Sequence, residues 1–183
     1  MTRSLAVILI VALALSAVLF VVPSSPAVAA GTWWDSLSQP EKNRSIIYRA
    51  DYDAAGNRPV YLNCKEWVRE VVRSASGGVV VIPPTLPNAD GWYWADHPKC
   101  QRQWIGIRNA EHGMVCQLNW TQLNGVVTSH TFIVSCKDSN GFWVAESNWG
   151  SANKNPIRAA YRYITFTEFE QRVGSKYSIY RII

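Results

Sequence analysis

Few side chains in this sequence can carry covalent chemistry: four cysteines and three histidines among 183 residues. Cys64 opens the run Cys64-Lys65-Glu66-Trp67-Val68-Arg69-Glu70-Val71-Val72. Trp67, Val68, Val71 and Val72 recur at helical spacing, and Asn63 with Glu66 stands at capping-box spacing. A thiol in a first helical turn sits among unpaired N–H groups at the positive end of the macrodipole, which favours thiolate. A nucleophile needs a base, and the base needs an orienting group. His130 opens the apolar run Thr131–Val134, so a strand would carry it. Glu146 and Asn148 lie two apart on the next apolar run, where a strand puts both on one face, and either can hold the imidazole. The chemistry implied is attack of a thiolate on a carbonyl. His130 is the candidate base for that thiolate. The competing readings are a disulfide or an inert buried thiol at Cys64, a His130 satisfied by backbone, and ordinary strand-end and turn roles for Glu146 and Asn148.

The positioning elements follow from periodicity and punctuation. Residues 33–50 read as partly helical, with Pro40 tolerated in a first turn. A second helix is expected over 63–74, stopped by Gly77-Gly78. Val79–Ile82 reads as a short strand ended by Pro83-Pro84, followed by a loop over 83–104 rich in Pro, Gly and aromatics. Strands are expected at Met114–Trp120, Ser129–Cys136 and Gly141–Asn148. Asn124-Gly125 turns between the first two and Asp138–Gly141 between the next. A strand at Tyr161–Phe166, a short helix opened by Thr167–Glu170 and a last strand at Tyr177–Ile182 complete the pattern. The expected fold is α+β, papain-like, with N-terminal helices packed on an antiparallel β-sheet.

At 48% hydrophobic and 17% charged residues the chain is neither disordered nor low-complexity. A net charge of +5, scattered along the sequence, does not argue for nucleic acid. Residues 1–30 read as a secretory signal peptide: Arg3, an apolar run from Leu5 to Val22, then the small-residue site Ala27-Val28-Ala29-Ala30. An uncleaved anchor is the alternative, because the run reaches the lower edge of a bilayer span. Residues 31–183 form a single domain, expected to be secreted or periplasmic with no stable membrane contact once the signal is removed. Export implies an oxidising setting, where four cysteines allow two disulfides or one disulfide beside a working thiol. Cys100, Cys116 and Cys136 lack the helix-start setting of Cys64, and a Cys100–Cys116 bridge is expected. His97-x2-Cys100 and His112-x3-Cys116 have zinc-like spacing, but their interleaved order and the oxidising setting argue against a metal. No metal or other cofactor is expected.

Three segments carry a resemblance. Asn63-Cys64-Lys65-Glu66-Trp67-Val68, then Ser129-His130-Thr131-Phe132-Ile133-Val134, then Val144-Ala145-Glu146-Ser147-Asn148 together resemble the CHAP amidase family, which belongs with the NlpC-type, papain-like peptidases. The resemblance implies an amidase or endopeptidase acting on peptidoglycan peptides. It implies Cys64 as nucleophile, His130 as base, and Glu146 or Asn148 orienting the imidazole while the other supports the site. The expected partner is peptidoglycan or another peptide substrate; a protein inhibitor is the one further partner considered, and a monomer is expected. Tyr61, Trp92 and Trp94 are candidate substrate-binding residues, with packing as the competing role for the aromatic loop. Two rival functions remain open. One is a non-catalytic wall- or surface-binding module with paired cysteines. The other is a papain-like transamidase or protein-directed cysteine peptidase.

Overall fold

The computed structural model describes residues 30–83, 94, 97–149 and 156–183. All but the last residue of the expected signal segment lies outside them. Helix α1 spans Ala30–Ser36 and α2 spans Gln39–Ala54. Pro40 occupies the first turn of α2, and Glu41 Oε2 accepts the Ser38 N–H at 2.8 Å. Helix α3 covers Cys64–Ala75 with Asn63 as N-cap, and Glu66 Oε2 accepts the Asn63 N–H at 3.2 Å. It ends where Gly77 and Gly78 take φ of 61° and 85°, in the left-handed region that glycine enters without steric cost. Buried Trp67 ties α3 to α2 by donating from Nε1 to Asp53 Oδ2 at 3.0 Å. Among the described residues, no helix is long and apolar enough to cross a membrane.

Six strands follow: β1 Cys100–Gln103, β2 Val115–Thr121, β3 Val127–Lys137, β4 Gly141–Ser147, β5 Ala159–Thr165 and β6 Tyr177–Ile182. Helix α4, Phe166–Arg172, joins β5 to β6. They make one antiparallel sheet in the order β1-β6-β2-β3-β4-β5. The two-residue alternation of strands sends side chains to opposite faces. Ile133, Val115, Ala145 and Tyr180 meet Trp34, Ile46, Trp67, Val68, Val71 and Val72 from the N-terminal helices. Phe132, Val134, Phe142, Val144, Ile164 and Ile179 meet Phe166, Phe169 and Val173 on the other face. The domain is therefore α+β, with N-terminal helices packed on an antiparallel sheet.

Several expectations need correction. Val79–Ile82 forms no strand; Val80 and Ile82 are buried, and Arg69 Nε donates to the Ile82 carbonyl at 2.8 Å. The aromatic loop hides a strand, β1, which reaches the sheet only through the C-terminal β6. The cap of α4 is Thr165, whose Oγ1 accepts the Glu168 N–H at 3.0 Å, rather than Thr167. All four cysteines are free, and the expected Cys100–Cys116 bridge is absent. The two residues flank β6, opposite Ile182 and Ile179, and they join cores on opposite faces. Two strand spacings alone separate their Cα atoms by about 9–10 Å, beyond the ~7 Å that a disulfide spans. The same placement scatters the zinc-like spacing, and the described residues hold no cluster of three metal-ligating side chains.

Candidate active site

The site lies in a fork of the sheet. Strands β3 and β4 are paired from Lys137–Phe142 up to Ile133–Ala145, and there the pairing stops. Beyond that point β4 stays with β5, through Glu146–Ala160 and Ser147–Ala159, while β3 stays with β2. The N-terminus of α3 occupies the gap. Ser147 Oγ donates to the Leu62 carbonyl at 3.0 Å, and Asn148 Nδ2 donates to Asn63 Oδ1 at 3.1 Å. From the other prong, the Thr131 N–H points at the Cys64 sulfur, as does the Lys65 N–H of the helix itself. The strands thus hold the first helical turn, where unpaired N–H groups favour a negatively charged sulfur.

His130 bonds the Cys64 thiol on one side and Glu146 on the other. Its Nε2 lies 2.8 Å from Glu146 Oε2, which leaves Nδ1 for the thiol. The register accounts for the pair. Continuing from Ile133–Ala145 sets Phe132 beside Glu146, so His130 is its diagonal neighbour, within reach of long side chains. Arg162 approaches Glu146 from the opposite diagonal, being two residues from Ala160 on β5. Arg162 donates from Nε to Glu146 Oε1 at 2.6 Å and from Nη2 to Oε2 at 3.2 Å. Glu146 is 2% exposed, so its charge is sustained by these two partners rather than by water. Trp149 closes the assembly: its ring lies 3.5 Å from the Arg162 guanidinium and 5.0 Å from the His130 ring, edge-on to Trp120 at 4.8 Å.

The electrostatics follow from this packing. Burial opposes the Cys64 thiolate, yet the His130 bond and charge and the two N–H donors outweigh it, and the thiol is held below its ordinary value. Burial likewise opposes the His130 imidazolium, but its bonds to Cys64 and Glu146 prevail and push it up to about 9. Burial raises Glu146, and the bonds from His130 and Arg162 overcome that and hold its carboxyl below the usual range. The thiol shifts down while the imidazole shifts up, as in a thiolate–imidazolium pair. By contrast, burial pushes Cys100 up to about 12 and Cys116 further still.

Cys64, His130 and Glu146 are brought together as the spacing predicts. Asn148 is not on the strand: β4 ends at Ser147 and Asn148 turns away with φ 58°, so its amide steadies the helix cap and not the imidazole. Of the proposed aromatic contacts, Trp94 is fully buried and stacks on Tyr180, so it belongs to the core and not to a binding surface. Tyr61 is 71% exposed, just before the helix cap, and Trp92 lies outside the described residues. The sequence reading missed Arg162 and Trp149. Arg162 had one signal, a cation on the core-facing parity of Ile164. Trp149 had none, because its role arises only from the chain reversal after β4.

No protein-family profile matches the chain, and no curated protein sequence matches it. Solved structures do. The crystal structure of Ly7917 superposes with a TM-score of 0.55 at 13% identity over 76% of this chain. That of Ly7917 with the hydrolyzing product of MDP gives 0.52 at 15% identity over 80%. This chain spans 62% and 63% of the length of those proteins. The likeness is one of fold.

Proposed function

We propose that this chain is an exported, CHAP-type cysteine amidase or endopeptidase that hydrolyses amide bonds in peptidoglycan peptides. The observation that carries the reading is the continuous relay Cys64–His130–Glu146 at a helix start, with the thiol shifted down and the imidazole shifted up. A fold neighbour described with a hydrolysis product of MDP, a muramyl dipeptide, supports the substrate class.

In this mechanism the Cys64 thiolate attacks the scissile carbonyl carbon and forms a C–S bond, and the carbonyl oxygen becomes an oxyanion. Backbone N–H groups of the first turn of α3, that of Cys64 foremost, stabilise it where the helix dipole is positive. The His130 imidazolium gives its Nδ1 proton to the leaving nitrogen, the C–N bond breaks, and an acyl-thioester remains. Water then attacks the thioester while His130 takes its proton. Collapse releases the carboxylic acid and restores the thiolate–imidazolium pair. Glu146 keeps Nδ1 aimed at sulfur by holding Nε2–H, and Arg162 keeps Glu146 ionised and fixed.

The test is alkylation of the protein, purified without reductant, by iodoacetamide at about pH 6, below the ordinary thiol range, with the labelled cysteine mapped by mass spectrometry. Rapid labelling of Cys64 that is lost in His130→Ala, followed by digestion of peptidoglycan, is the expected result. Cys64 found in a disulfide that survives mild reduction would overturn the proposal in favour of a wall-binding module.

A further inference from the structure

A cavity of about 310 Å³ opens on the helix-packed face of β1, β6 and β2. Its position follows from the register. Arg102 and Val115 both pair with Tyr180, and Gln117 pairs with Ser178, so these side chains share the face on which Val115 and Tyr180 pack against the helices. Asn119 and Lys176 share the same parity and extend the wall, and the Asn119 N–H donates to the Lys176 carbonyl at 3.0 Å.

The cavity adjoins the reacting sulfur through one residue. Thr131, whose N–H points at Cys64, donates from Oγ1 to Gln117 Oε1 at 2.7 Å. With its oxygen so engaged, Gln117 is left with its NH2 as the end that faces the cavity. From Thr131 the wall crosses β2, β6 and β1 in turn, so it lies about 5–15 Å from the fork at one strand spacing per step. An extended peptide covers that distance in about two to four residues. The polar lining is one-signed: Arg102 and Lys176 contribute two cations, Gln117, Asn119 and Ser178 contribute neutral polar groups, and no carboxylate lines the cavity among the described residues. Arg102 rests on the Trp104 ring at 4.0 Å, which limits the freedom of its guanidinium.

We infer that this cavity is a substrate subsite for a free carboxylate of the peptide, a few residues from the scissile amide, gripped by Arg102 and Lys176. The inference rests on the hydrolase reading and sharpens it: the preferred substrates are acidic peptides, and amidation of the carboxylate weakens them. A planar guanidinium matches a carboxylate bidentately, and the exposed Lys176 adds a mobile second charge at the rim.

The experiment compares two probes that differ at one carboxylate: N-acetyl-L-alanyl-γ-D-glutamyl-glycinamide with the glutamyl α-carboxylate free and with it amidated. Each is titrated calorimetrically into the Cys64→Ala protein, which cannot turn substrate over. The acid should bind about tenfold more tightly than the amide, the order expected of one charge-assisted hydrogen bond. Adding Arg102→Gln and Lys176→Gln should reduce that gap to less than about threefold, and Lys176→Glu should narrow or invert it. Equal affinity for the two probes, no binding of either, or an unchanged gap in the Arg102→Gln/Lys176→Gln protein overturns the inference. Alkylation of Cys64 in otherwise unaltered protein separates the two claims. A charge preference without an activated Cys64 refutes the hydrolase and leaves an anion pocket; an activated Cys64 without the preference refutes the subsite alone.

Discussion

Substituting Glu146→Gln removes one charge from a nearly water-free relay while preserving its shape. Gln can still accept from His130 Nε2, so the ring keeps its orientation. What disappears is the anion 2.8 Å from that nitrogen. Charge centres about 4 Å apart in a medium of effective dielectric ~20 interact by about 4 kcal/mol, or about 3 pKa units. His130 stands at about 9 against an ordinary 6.5, the balance of burial against the Cys64 and Glu146 interactions. Removing the Glu146 share should therefore bring its titration down by about three units, to near pH 6. The assay is the imidazole Cε1–H resonance followed by NMR from about pH 5 to about pH 10, with His97 and His112 assigned by substitution. The alkaline limb of Cys64 alkylation should move with it, because the two groups titrate as a pair. A wild-type midpoint close to 6.5, or a Glu146→Gln midpoint within half a unit of wild type, would refute the reasoning, since Glu146 would then not govern the charge on His130.

Arg162→Met should cost about 3 kcal/mol in urea denaturation because it strips a buried carboxylate of one of its two partners; Arg162→Lys should recover part of it, and a loss below about 1 kcal/mol would show that His130 alone satisfies Glu146. Stability should fall as pH rises above 9, since Cys100, held at about 12, and Cys116, higher still, stay protonated when folded but ionise when unfolded. Each such thiol contributes about 1.4 kcal/mol per pH unit over the window above its unfolded value, and a flat melting temperature between pH 9 and pH 11 (about two units into that window) would contradict it. Gly113→Ala should destabilise by about 2–4 kcal/mol, because the residue has φ +81° and an added Cβ would lie 2.6 Å from the Asn43 carbonyl of α2; a melting temperature equal to wild type would show that α2 yields. Asn148→Ala removes the amide that steadies Asn63 and puts an alanine at φ 58°, so Cys64 alkylation should slow severalfold. Asn148→Gly, which relieves the backbone alone, should not restore the rate.

Local signals made α3, β2 to β4 and β6 legible, because each has a clean period and its own punctuation. The Cys64 setting was readable for the same reason: Asn63 and Glu66 announce a helix start, and helix starts have one electrostatic sign. His130 was readable against the Glu146–Asn148 pair on the next strand, because neighbouring strands leave few registers that keep the apolar faces buried, but the alternation alone left open which of the two meets the imidazole. What escaped were long-range relations. β1 is a short polar segment, Cys100-Gln-Arg-Gln, with no period to show; it becomes a strand only because β6 offers it an edge. The insertion of β6 between β1 and β2 set Cys100 and Cys116 on opposite faces, a result that no spacing along the chain encodes. Asn148 was misread because two-residue alternation was extended past the end of β4, where the chain turns.

The separation of the cysteines bears on how one thiol can be reactive beside three others. Exchange and oxidation proceed through thiolates, so a cysteine threatens Cys64 only if it is both ionised and near. Cys116 lies wholly within the core on the α4 side, and Cys100 in the core beneath the N-terminal helices; burial keeps both protonated. Cys136 is exposed, but it sits beyond the β3 bulge at the far end of the strand that carries His130, about 20 Å away at the rise of an extended chain. Cys64 combines a stabilised thiolate with the isolation of the fork, where β4, β3 and its own helix surround it. The break in β3–β4 pairing thus has two effects. It admits the helix terminus whose N–H groups favour the thiolate, and it keeps that sulfur apart from the other three cysteines.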